Sequence, residues 1–461
     1  MRWRVVIELT RGDGAVRVRE VATSSDDSSG SAVKPLGLTL AADAKALLAA
    51  KQRHLVEAEV ADYCRERRCC PRCQKQRPLK DIRTRRLNSL FGTVELRAPR
   101  FKPCRCSVTS RATLTPVAEI MADRCTAEYE RIVAKLGAWM PYRRARGLLA
   151  EFFPLGDDAP EVETIRQRTL HVGARLEREA LSPPKSSAPP AEAMTVSIDG
   201  GHVRSARGYQ GRTFEVLVAH VGNDNGQQIV FSSVPAEADR QRHQLSSVLR
   251  NLGMTPQTPV TVLSDGAAGP RALGEAASTG LVRHILDWFH LAMRIQHVAQ
   301  CVKGWPDATA DEREKGADLA NIVEHIRWRL WHGQVRRALD LVGETLLPLN
   351  AMAEMNSTTA RTACKVVQAP AALETYVAGL SDLIIDYATA RRCEEPFSTS
   401  PTEGAVQWLL HRRMASQQQM RWSPRGAHLM LKVRTSVANG GFDHDHAAAE
   451  RWARRPFQKA A

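Results

Sequence analysis

The sequence has no apolar run of the ~18–20 residues that a membrane-spanning helix needs. Its start, MRWRVVIELTRGDG, has no apolar core followed by a small-residue cleavage site, so we expect no secretory signal. It also has no P-loop sequence, so we expect no nucleotide cofactor. Together these absences argue against a membrane-spanning, secreted or ATP-driven protein.

Acidic residues are in deficit. The 461 residues include 65 Lys and Arg but only 50 Asp and Glu, which gives a formal net charge of +15. Such a surplus indicates a polyanionic partner, either nucleic acid or an anionic membrane surface. Cytosolic residence with nucleic acid as partner is the simpler interpretation. The length predicts two to four structural units.

Cysteine is too sparse for a disulfide framework, with ten residues in the whole chain. Six of them fall between Cys64 and Cys106, and four of these six form two closely spaced pairs, with a predicted strand pair between the pairs. Two thiolates on each of two turns can complete a tetrahedral zinc site. Cys64 and Cys69 lie close enough to be alternative ligands, and four buried, unligated cysteines are the other interpretation. The expected structural zinc ligands are Cys70, Cys73, Cys104 and Cys106.

The chain before residue 194 divides by composition. An Asp-Gly between alternating apolar runs predicts a hairpin, and a loop of sequence SSDDSSGS precedes a helical pattern from about Leu40 to Arg67. The stretch LSPPKSSAPPAEA is typical of a linker. We expect, in order, a hairpin and helix (1–68), a cysteine-rich zinc module (69–122), a helical DNA-binding unit (123–180) and the linker (181–193).

Three helical patterns between about 126 and 179 fit a helix-turn-helix arrangement with a basic second helix. The third helix would offer Arg and Gln side chains, which suit guanine and adenine edges, to the major groove. A plain helical connector with a solvated basic face is the alternative. The DNA-contacting residues expected in this unit are Arg143, Arg144, Arg166, Gln167 and Arg168.

Two apolar runs end in Asp-Gly: MTVSIDG, with Asp199, and VTVLSDG, with Asp265. We expect each carboxylate to project from a strand terminus. The three runs from MTVSIDG onward can pair as an antiparallel meander, and a helical stretch before VTVLSDG suits a crossover to a parallel strand. In an RNase-H-like sheet the first and fourth strands are neighbours, so the two carboxylates can converge.

A third carboxylate should come from a helix after the sheet. Glu403 is the preferred residue because Ser400 or Thr402 can cap a helix that begins at Glu403. Glu394 and Glu395 are the alternatives, but they precede a proline and begin no helix. Three carboxylates suit two Mg²⁺ (or Mn²⁺) ions, which would activate the attacking oxygen and stabilise the leaving one.

Several segments together resemble the RNase-H-like (DDE-type) transposases of bacterial insertion sequences. They are SIDGGHVR, VLSDGA, HILDWFHLAMRIQHV, SPTEGAVQWLLHRRMASQQQMRWSPRGAHLMLKVR and the cysteine-rich CCPRCQKQRPLKDIRTRR. The resemblance implies a catalytic triad of Asp199, Asp265 and Glu403. It also implies an α/β fold: an RNase-H-like mixed-sheet core (194–284 and 396–440) interrupted by a helical insertion (285–395), with a loosely ordered tail (441–461).

Asp287 and His290 resemble the acid-x2-His signature of several such transposases, in which His290 would contact a phosphate or order the site. Simple packing of His290 within a helix is the other interpretation. Basic residues after the proposed catalytic helix could hold the DNA backbone. They are Arg412, Arg413, Arg421 and Arg425.

The resemblance implies cleavage at the ends of a mobile element, followed by attack of the freed 3′-OH on target DNA. Double-stranded DNA is the expected partner, in the form of terminal repeats and target, and self-association on DNA is expected. The expected location is the bacterial cytoplasm, with the nucleoid. Two rivals stay open: another RNase-H-like nuclease that cuts without joining, and a non-catalytic zinc DNA-binding regulator.

Overall fold

The computed structural model describes the chain except residues 1–3, 11–13, 24–40, 105, 107–112, 122, 156–157, 181–187, 236–237, 354–357, 415–419 and 454–461. The chain separates into two compact units, Met1–Val172 and Gly173–Ala461. The predicted SSDDSSGS loop and residues 181–187 of the predicted linker lie outside the described residues. None of the helices in the described part combines the length and hydropathy that crossing a membrane requires.

The first unit contains two antiparallel hairpins and a set of helices. Its strands are β1 (Arg4–Thr10), β2 (Val16–Thr23), β3 (Leu79–Ser89) and β4 (Gly92–Phe101). Its helices are α1 (Ala41–Arg68), α2 (Pro116–Ile120), α3 (Ala127–Trp139), α4 (Tyr142–Phe152) and α5 (Val162–Ala180), the last of which continues past Val172.

The β3–β4 hairpin brings the two cysteine pairs to one end. Leu79 pairs with Phe101 at the open end of the hairpin, so the chain enters soon after Cys73 and leaves soon before Cys104. Helix α1 packs on β4 through a small apolar core. Its buried members include Val60, Cys64, Val94, Leu96 and Ala98. The predicted strand pair between the cysteine pairs is therefore present.

Helices α3, α4 and α5 occupy the three predicted helical patterns. Thr126 caps α3 by accepting a hydrogen bond from the backbone N–H of Tyr129. Pro141 stands at the N-cap of α4; it has no backbone N–H to continue α3, and it disfavours a helical conformation for Met140, which is extended. In α5, Ile165 and Thr169 are fully buried at a spacing of one helical turn, so this face of the helix packs inward.

The second unit is built on a five-stranded mixed sheet with the order β7-β6-β5-β8-β9. Strands β5, β6 and β7 form the predicted antiparallel meander, and β8 and β9 run parallel to β5. Their bounds are β5 Met194–Arg204, β6 Thr213–Asn223, β7 Gln228–Ser233, β8 Val260–Ser264 and β9 Val282–Leu286. The mixed α/β class is confirmed.

Strand β9 was not expected, since the sequence from 285 onward was interpreted as helical. It has only five residues, VRHIL, and such a short apolar run is ambiguous between helix and strand by periodicity. The remaining helices of this unit are α6 (Ala238–Asn251), α7 (Ala268–Ala277), α8 (Trp288–Val302), α9 (Ala310–Trp331), α10 (Val335–Ala353), α11 (Thr358–Gly379), α12 (Tyr387–Arg392), α13 (Ser400–Val406), α14 (Pro424–Ala438) and α15 (Phe442–Ala453).

Helices α8 to α12 share one apolar core with Leu263 of β8 and with Ile285 and Leu286 of β9. Leu291, Ile295, Val298 and Val302 of α8 are buried at the spacing of one helix face. Thr309 and Glu312 form a capping box at the start of α9. These helices account for the strand-poor region that the sequence predicted.

Two details of the C-terminal region differ from the sequence interpretation. Helix α13 begins at Ser400 rather than Glu403, its N-cap is Thr399, and neither Ser400 nor Thr402 caps it. A π-helical segment, Gln407–His411, continues it. The expected loose tail includes α15, which buries Phe442 at 2% exposure. The sequence interpretation missed this helix because polar residues surround the apolar face that packs into the core through Phe442.

Candidate metal centre and nucleic-acid interface

Asp199 and Asp265 both lie just beyond the point where β5 and β8 stop pairing. Ser197 and Leu263 are the last paired residues of these parallel strands, and each aspartate stands two residues further on. Asp265 follows the end of β8, as predicted. Asp199 does not end its strand, because β5 continues to Arg204 through pairing with β6. The two aspartates therefore lie at the same end of the sheet because β8 stops pairing with β5 after Leu263, and not because β5 itself ends there.

Helix α13 places Glu403 over this end of the sheet. The Thr402 hydroxyl donates a hydrogen bond of 3.4 Å to the backbone carbonyl of Ser197. Gly201 permits close packing nearby, since a Cβ at that position would lie 2.4 Å from Cδ1 of Leu410. As a result, ligand atoms of Asp199, His290 and Glu403 all lie within 4.8 Å of one another.

His290 is oriented by a buried carboxylate that the sequence singled out only as part of its motif. Nδ1 of His290 lies 2.6 Å from Oδ2 of Asp287, and its Nε2 lies 3.8 Å from Oδ1 of Asp199. Asp287 is fully buried and also caps α8, accepting hydrogen bonds from the backbone N–H groups of Phe289 and His290. The hydrogen bond to Asp287 raises the pKa of His290, against the opposing effect of burial.

The electrostatics of the site favour a bound cation. Burial raises the pKa of Asp199, and the charges of Glu403 and Asp265 raise it further, whereas His290 and the N–H of Gly200 lower it. A divalent ion would relieve this repulsion. Carboxylate oxygens are the ligands that Mg²⁺ and Mn²⁺ prefer, so the donor set fits such an ion. Asp265 lies outside the group within 4.8 Å but close enough to influence both Asp199 and His290.

Residues of the helical region hold the turn that carries Asp265 in place. The Tyr376 hydroxyl donates a 2.7 Å hydrogen bond to the backbone carbonyl of Asp265. The guanidinium of Arg294 lies 3.9 Å from the centre of the Tyr376 ring. Gly266 has a φ of +87° and faces Leu380, so a side chain there would be strained and crowded. Tyr376 and Arg294 gave no sequence signal, because only the tertiary fold brings them to this turn.

Glu394 and Glu395, the alternative third acids, are exposed and lie elsewhere. Glu395 forms an ion pair with Arg283, with a separation of 3.3 Å between the charged atoms. Neither belongs to the group formed by Asp199, His290 and Glu403.

The four predicted zinc ligands form a second cluster, in the first unit. The Sγ atoms of Cys70 and Cys106 are 3.5 Å apart, and those of Cys73 and Cys104 are 3.3 Å apart. All four sulfurs lie within 4.8 Å of one another. Tetrahedral Zn–S bonds of about 2.3 Å require sulfurs roughly 3.8 Å apart, so the cluster could hold zinc.

The thiols of this cluster differ widely in pKa. Backbone hydrogen bonds from Cys73 and Arg72 lower the pKa of Cys70 to about 6, whereas the neighbouring thiols raise the pKa of Cys106 to about 12. Four thiolates so close together require a cation. Cys69 hydrogen-bonds to Gln74 instead, and Cys64 belongs to the α1–β4 core, so both lie outside the cluster.

The predicted DNA-contacting residues of the first unit differ in exposure. Arg143, Arg144, Arg166 and Gln167 are exposed, and the last two hydrogen-bond to Glu163 on the preceding turn. Arg168 is only 19% exposed and pairs with Asp123 at 2.5 Å and with Glu130 at 3.5 Å. This arrangement gives Arg168 a role in the unit's packing.

The four arginines after α13 also separate into two kinds. Arg412 and Arg421 are exposed. Arg413 is fully buried, with its guanidinium 5.4 Å from the centre of the Trp422 ring. Arg425 is half exposed and forms a two-pronged ion pair with Glu177 at 2.5–2.8 Å. Only the first two offer a largely open guanidinium at the surface.

No protein-family model matches the chain, and no curated protein matches it. Among solved structures, it is similar to a Drosophila P element transposase strand transfer complex. The two share 13% sequence identity with a TM-score of 0.33, and the match covers 69% of this chain and 93% of that one. Similarity at this level assigns no family.

Proposed function

We propose that this chain is a DDE-type DNA transposase that cuts and joins DNA with Mg²⁺ or Mn²⁺ held by Asp199, Asp265 and Glu403. One observation carries the proposal: ligand atoms of Asp199, His290 and Glu403 lie within 4.8 Å of one another, and Asp265, just after the neighbouring parallel strand, is close enough to raise the pKa of Asp199. Three such carboxylates around a phosphodiester suit metal-assisted phosphoryl transfer. The bacterial insertion-sequence class is part of the proposal and rests on the sequence motifs.

The topology supports an RNase-H-like core. Its strand order, numbered from β5, is 3-2-1-4-5, with an antiparallel meander first and two parallel strands after it. Helices α8 to α12 then separate β9 from α13, as an insertion between the second and third acids requires. Unlike a chance cluster of surface acids, this arrangement has Asp199 buried at 7% exposure.

The chain's own residues orient the DNA. Asp287 holds Nδ1 of His290, which leaves Nε2 facing the site as a contact for a phosphate oxygen. The exposed guanidinium groups of Arg412 and Arg421 can bind the DNA backbone on the same unit. Bound metal ions would activate the attacking oxygen and stabilise the leaving one.

The first unit would recognise DNA. The cysteine cluster would hold structural zinc and stabilise the β3–β4 hairpin, as such sites do in small modules. The helical unit would bind element ends through the exposed Arg143, Arg144 and Arg166, with Gln167. We further propose the unit boundaries given by the sequence, self-association on DNA and a location with the bacterial nucleoid.

The test is an assay with Mg²⁺ or Mn²⁺ on DNA that carries the element's ends. Wild type should nick and join, whereas Asp265→Asn and Glu403→Gln should bind DNA but cut at least about 100-fold more slowly, because each removes a charged ligand. Glu394→Gln is the matched control and should keep wild-type activity. Cutting without joining would identify another nuclease, and binding without cutting in every protein would identify a regulator.

A further inference from the structure

A cavity of about 510 Å³ lies between the first turn of α8, the end of α9 and α12. This volume falls within the range of about 300–1,000 Å³ that is usual for ligand pockets. Three tryptophans line it, namely Trp288, Trp328 and Trp331. Trp288 directly follows Asp287 in the chain and lies on the same turn of α8 as His290, so one turn of this helix contributes both to the cavity and to the candidate metal centre.

Two of the tryptophans form a fixed wall. The ring centroids of Trp288 and Trp331 lie 4.7 Å apart in an edge-to-face arrangement, and both rings contact Tyr387. Tyr387 is fully buried and donates a hydrogen bond to the carbonyl of Leu286 at the end of β9. The wall is therefore anchored to the sheet that carries the acids.

Trp328 differs from the other two because it is 50% exposed. Trp328 lies one helical turn before His332, and the two rings are in tilted contact, with 4.4 Å between their centroids and 45° between their planes. This contact holds the indole in place. A large, ordered and half-exposed indole at the rim of a cavity offers a flat face for stacking. Packing of the helical core does not explain its exposure.

The charge around the cavity is positive. Arg327 and Arg391 line it, and within the described part of the chain neither guanidinium forms an ion pair. Glu324 at the same wall supplies an acceptor of the kind that binds an exocyclic amino group. Open guanidinium groups beside indole faces are the combination that binds single-stranded nucleic acid, with arginine on phosphates and aromatic rings on bases.

We infer that this cavity receives one unstacked nucleobase of the DNA substrate, stacked on Trp328, with Arg327 and Arg391 binding the adjoining phosphates. The inference rests on the proposed function and adds to it a binding site for single-stranded DNA on the unit that carries the candidate metal centre. A paired base in a duplex cannot present its ring face to an indole, so the occupant has left the base stack. No covalent step occurs in the cavity.

The experiment measures affinity by fluorescence anisotropy, using the full chain and a duplex with a single-stranded extension. A matched series of DNAs replaces each position of the extension in turn by an abasic site. Trp328→Ala should weaken binding at least about fivefold, and one abasic position should weaken wild-type binding equally. The two losses should not add when combined, because they remove the same contact.

Three controls separate this site from general DNA binding. Trp328→Phe should recover part of the affinity, since it restores an aromatic face. Leu347→Ala, at a 74% exposed apolar residue of α10, should bind like wild type. Trp328→Ala and wild type should bind a blunt duplex with equal affinity.

Unchanged affinity of Trp328→Ala for the extended DNA, or losses that add, would overturn this site. The proposed function would survive that result if cleavage still depended on Asp265. A chain that binds no DNA would overturn both proposals.

Discussion

The hydroxyl of Thr399 donates a 2.6 Å hydrogen bond to Oδ2 of Asp287, which lies 112 residues earlier in the chain. The backbone N–H of Thr399 donates a second, of 2.7 Å, to Oδ1 of the same carboxylate. Asp287 stands at the start of α8, which carries His290, and Thr399 at the start of α13, which carries Glu403. One buried carboxylate thus sets the spacing between two parts of the candidate site.

We expect Asp287→Asn to weaken this link. Asp287 accepts hydrogen bonds from Phe289, His290 and Thr399, and an amide nitrogen cannot replace an oxygen that accepts. The free energy of unfolding should fall by about 1–3 kcal/mol, the usual loss for such a buried group. DNA cleavage should fall more than DNA binding. Urea unfolding and a cleavage assay measure the two effects.

Thr399 offers the matched pair for that experiment. Thr399→Ser keeps the hydroxyl and should behave like wild type, whereas Thr399→Val removes it and should reproduce part of the Asp287→Asn defect. If Asp287→Asn cleaved DNA at the wild-type rate, the carboxylate would have no role in positioning His290 or Glu403.

Local patterns in the sequence predicted much of the fold. The meander, the crossover and the β3–β4 pair follow from short alternating runs with turn residues between them, which are local properties. The four cysteines were predicted because close spacing along the chain already limits how far each pair can separate. Asp199 and Asp265 were predicted from one shared local pattern, although β5 proves longer than its apolar run.

What the sequence could not predict depends on contacts between distant segments. Strand β9 is too short to carry a period, and it is recognisable only by its pairing with β8. Tyr376 reaches the Asp265 turn across 111 residues. Glu177, likewise, meets Arg425 and His428 about 250 residues later, with separations of 248 and 251. Residue type alone indicates none of these partners.

Purified chain should contain about one zinc per molecule, and Cys73→Ser should lose it, because three thiolates bind zinc more weakly than four. Cys69→Ser is the matched control: Cys69 is close in sequence but hydrogen-bonds to Gln74 outside the cluster. Metal analysis after purification under reducing, chelator-free conditions measures both. A wild-type chain without zinc, or loss of zinc from Cys69→Ser alone, would contradict the assignment.

Glu177 gives a stability effect that depends on pH. The carboxylate is 4% exposed and pairs with Arg425 and His428. Burial alone would raise the pKa of Glu177, but its hydrogen bonds to His428 and Arg425 outweigh burial and lower the pKa well below the ordinary 4.5. A carboxyl whose folded pKa is depressed stabilises the fold above its unfolded pKa and loses that contribution as pH falls.

We therefore expect Glu177→Gln to lower the free energy of unfolding by about 1–3 kcal/mol at pH 7, the range for a broken charge-assisted hydrogen bond. The difference from wild type should shrink as pH falls below about 4.5, where the unfolded carboxyl is protonated. Urea unfolding at several pH values measures it. A difference that stayed constant down to pH 3 would mean that Glu177 acts by shape and not by charge.

Arg166 and Arg168 are two residues apart on α5, but substitution should lower the stability of the fold at Arg168 and the affinity for DNA at Arg166. Arg168 is mostly buried against Asp123 and Glu130, so Arg168→Ala leaves Glu130 at 4% exposure without that partner. We expect a loss of about 2–3 kcal/mol, somewhat below the roughly 3–5 kcal/mol of a fully buried pair. Hydrogen exchange should accelerate in α3 and α5.

Arg166→Ala removes an exposed guanidinium whose ion pair with Glu163 contributes at most about 1 kcal/mol. Its hydrogen exchange should match wild type, while its affinity for DNA should fall and depend less steeply on salt, because one phosphate or base contact is gone. Hydrogen exchange by mass spectrometry and DNA titrations at two salt concentrations measure both variants. If Arg168→Ala kept wild-type protection and lost DNA affinity, Arg168 would be a DNA contact and its ion pairs incidental.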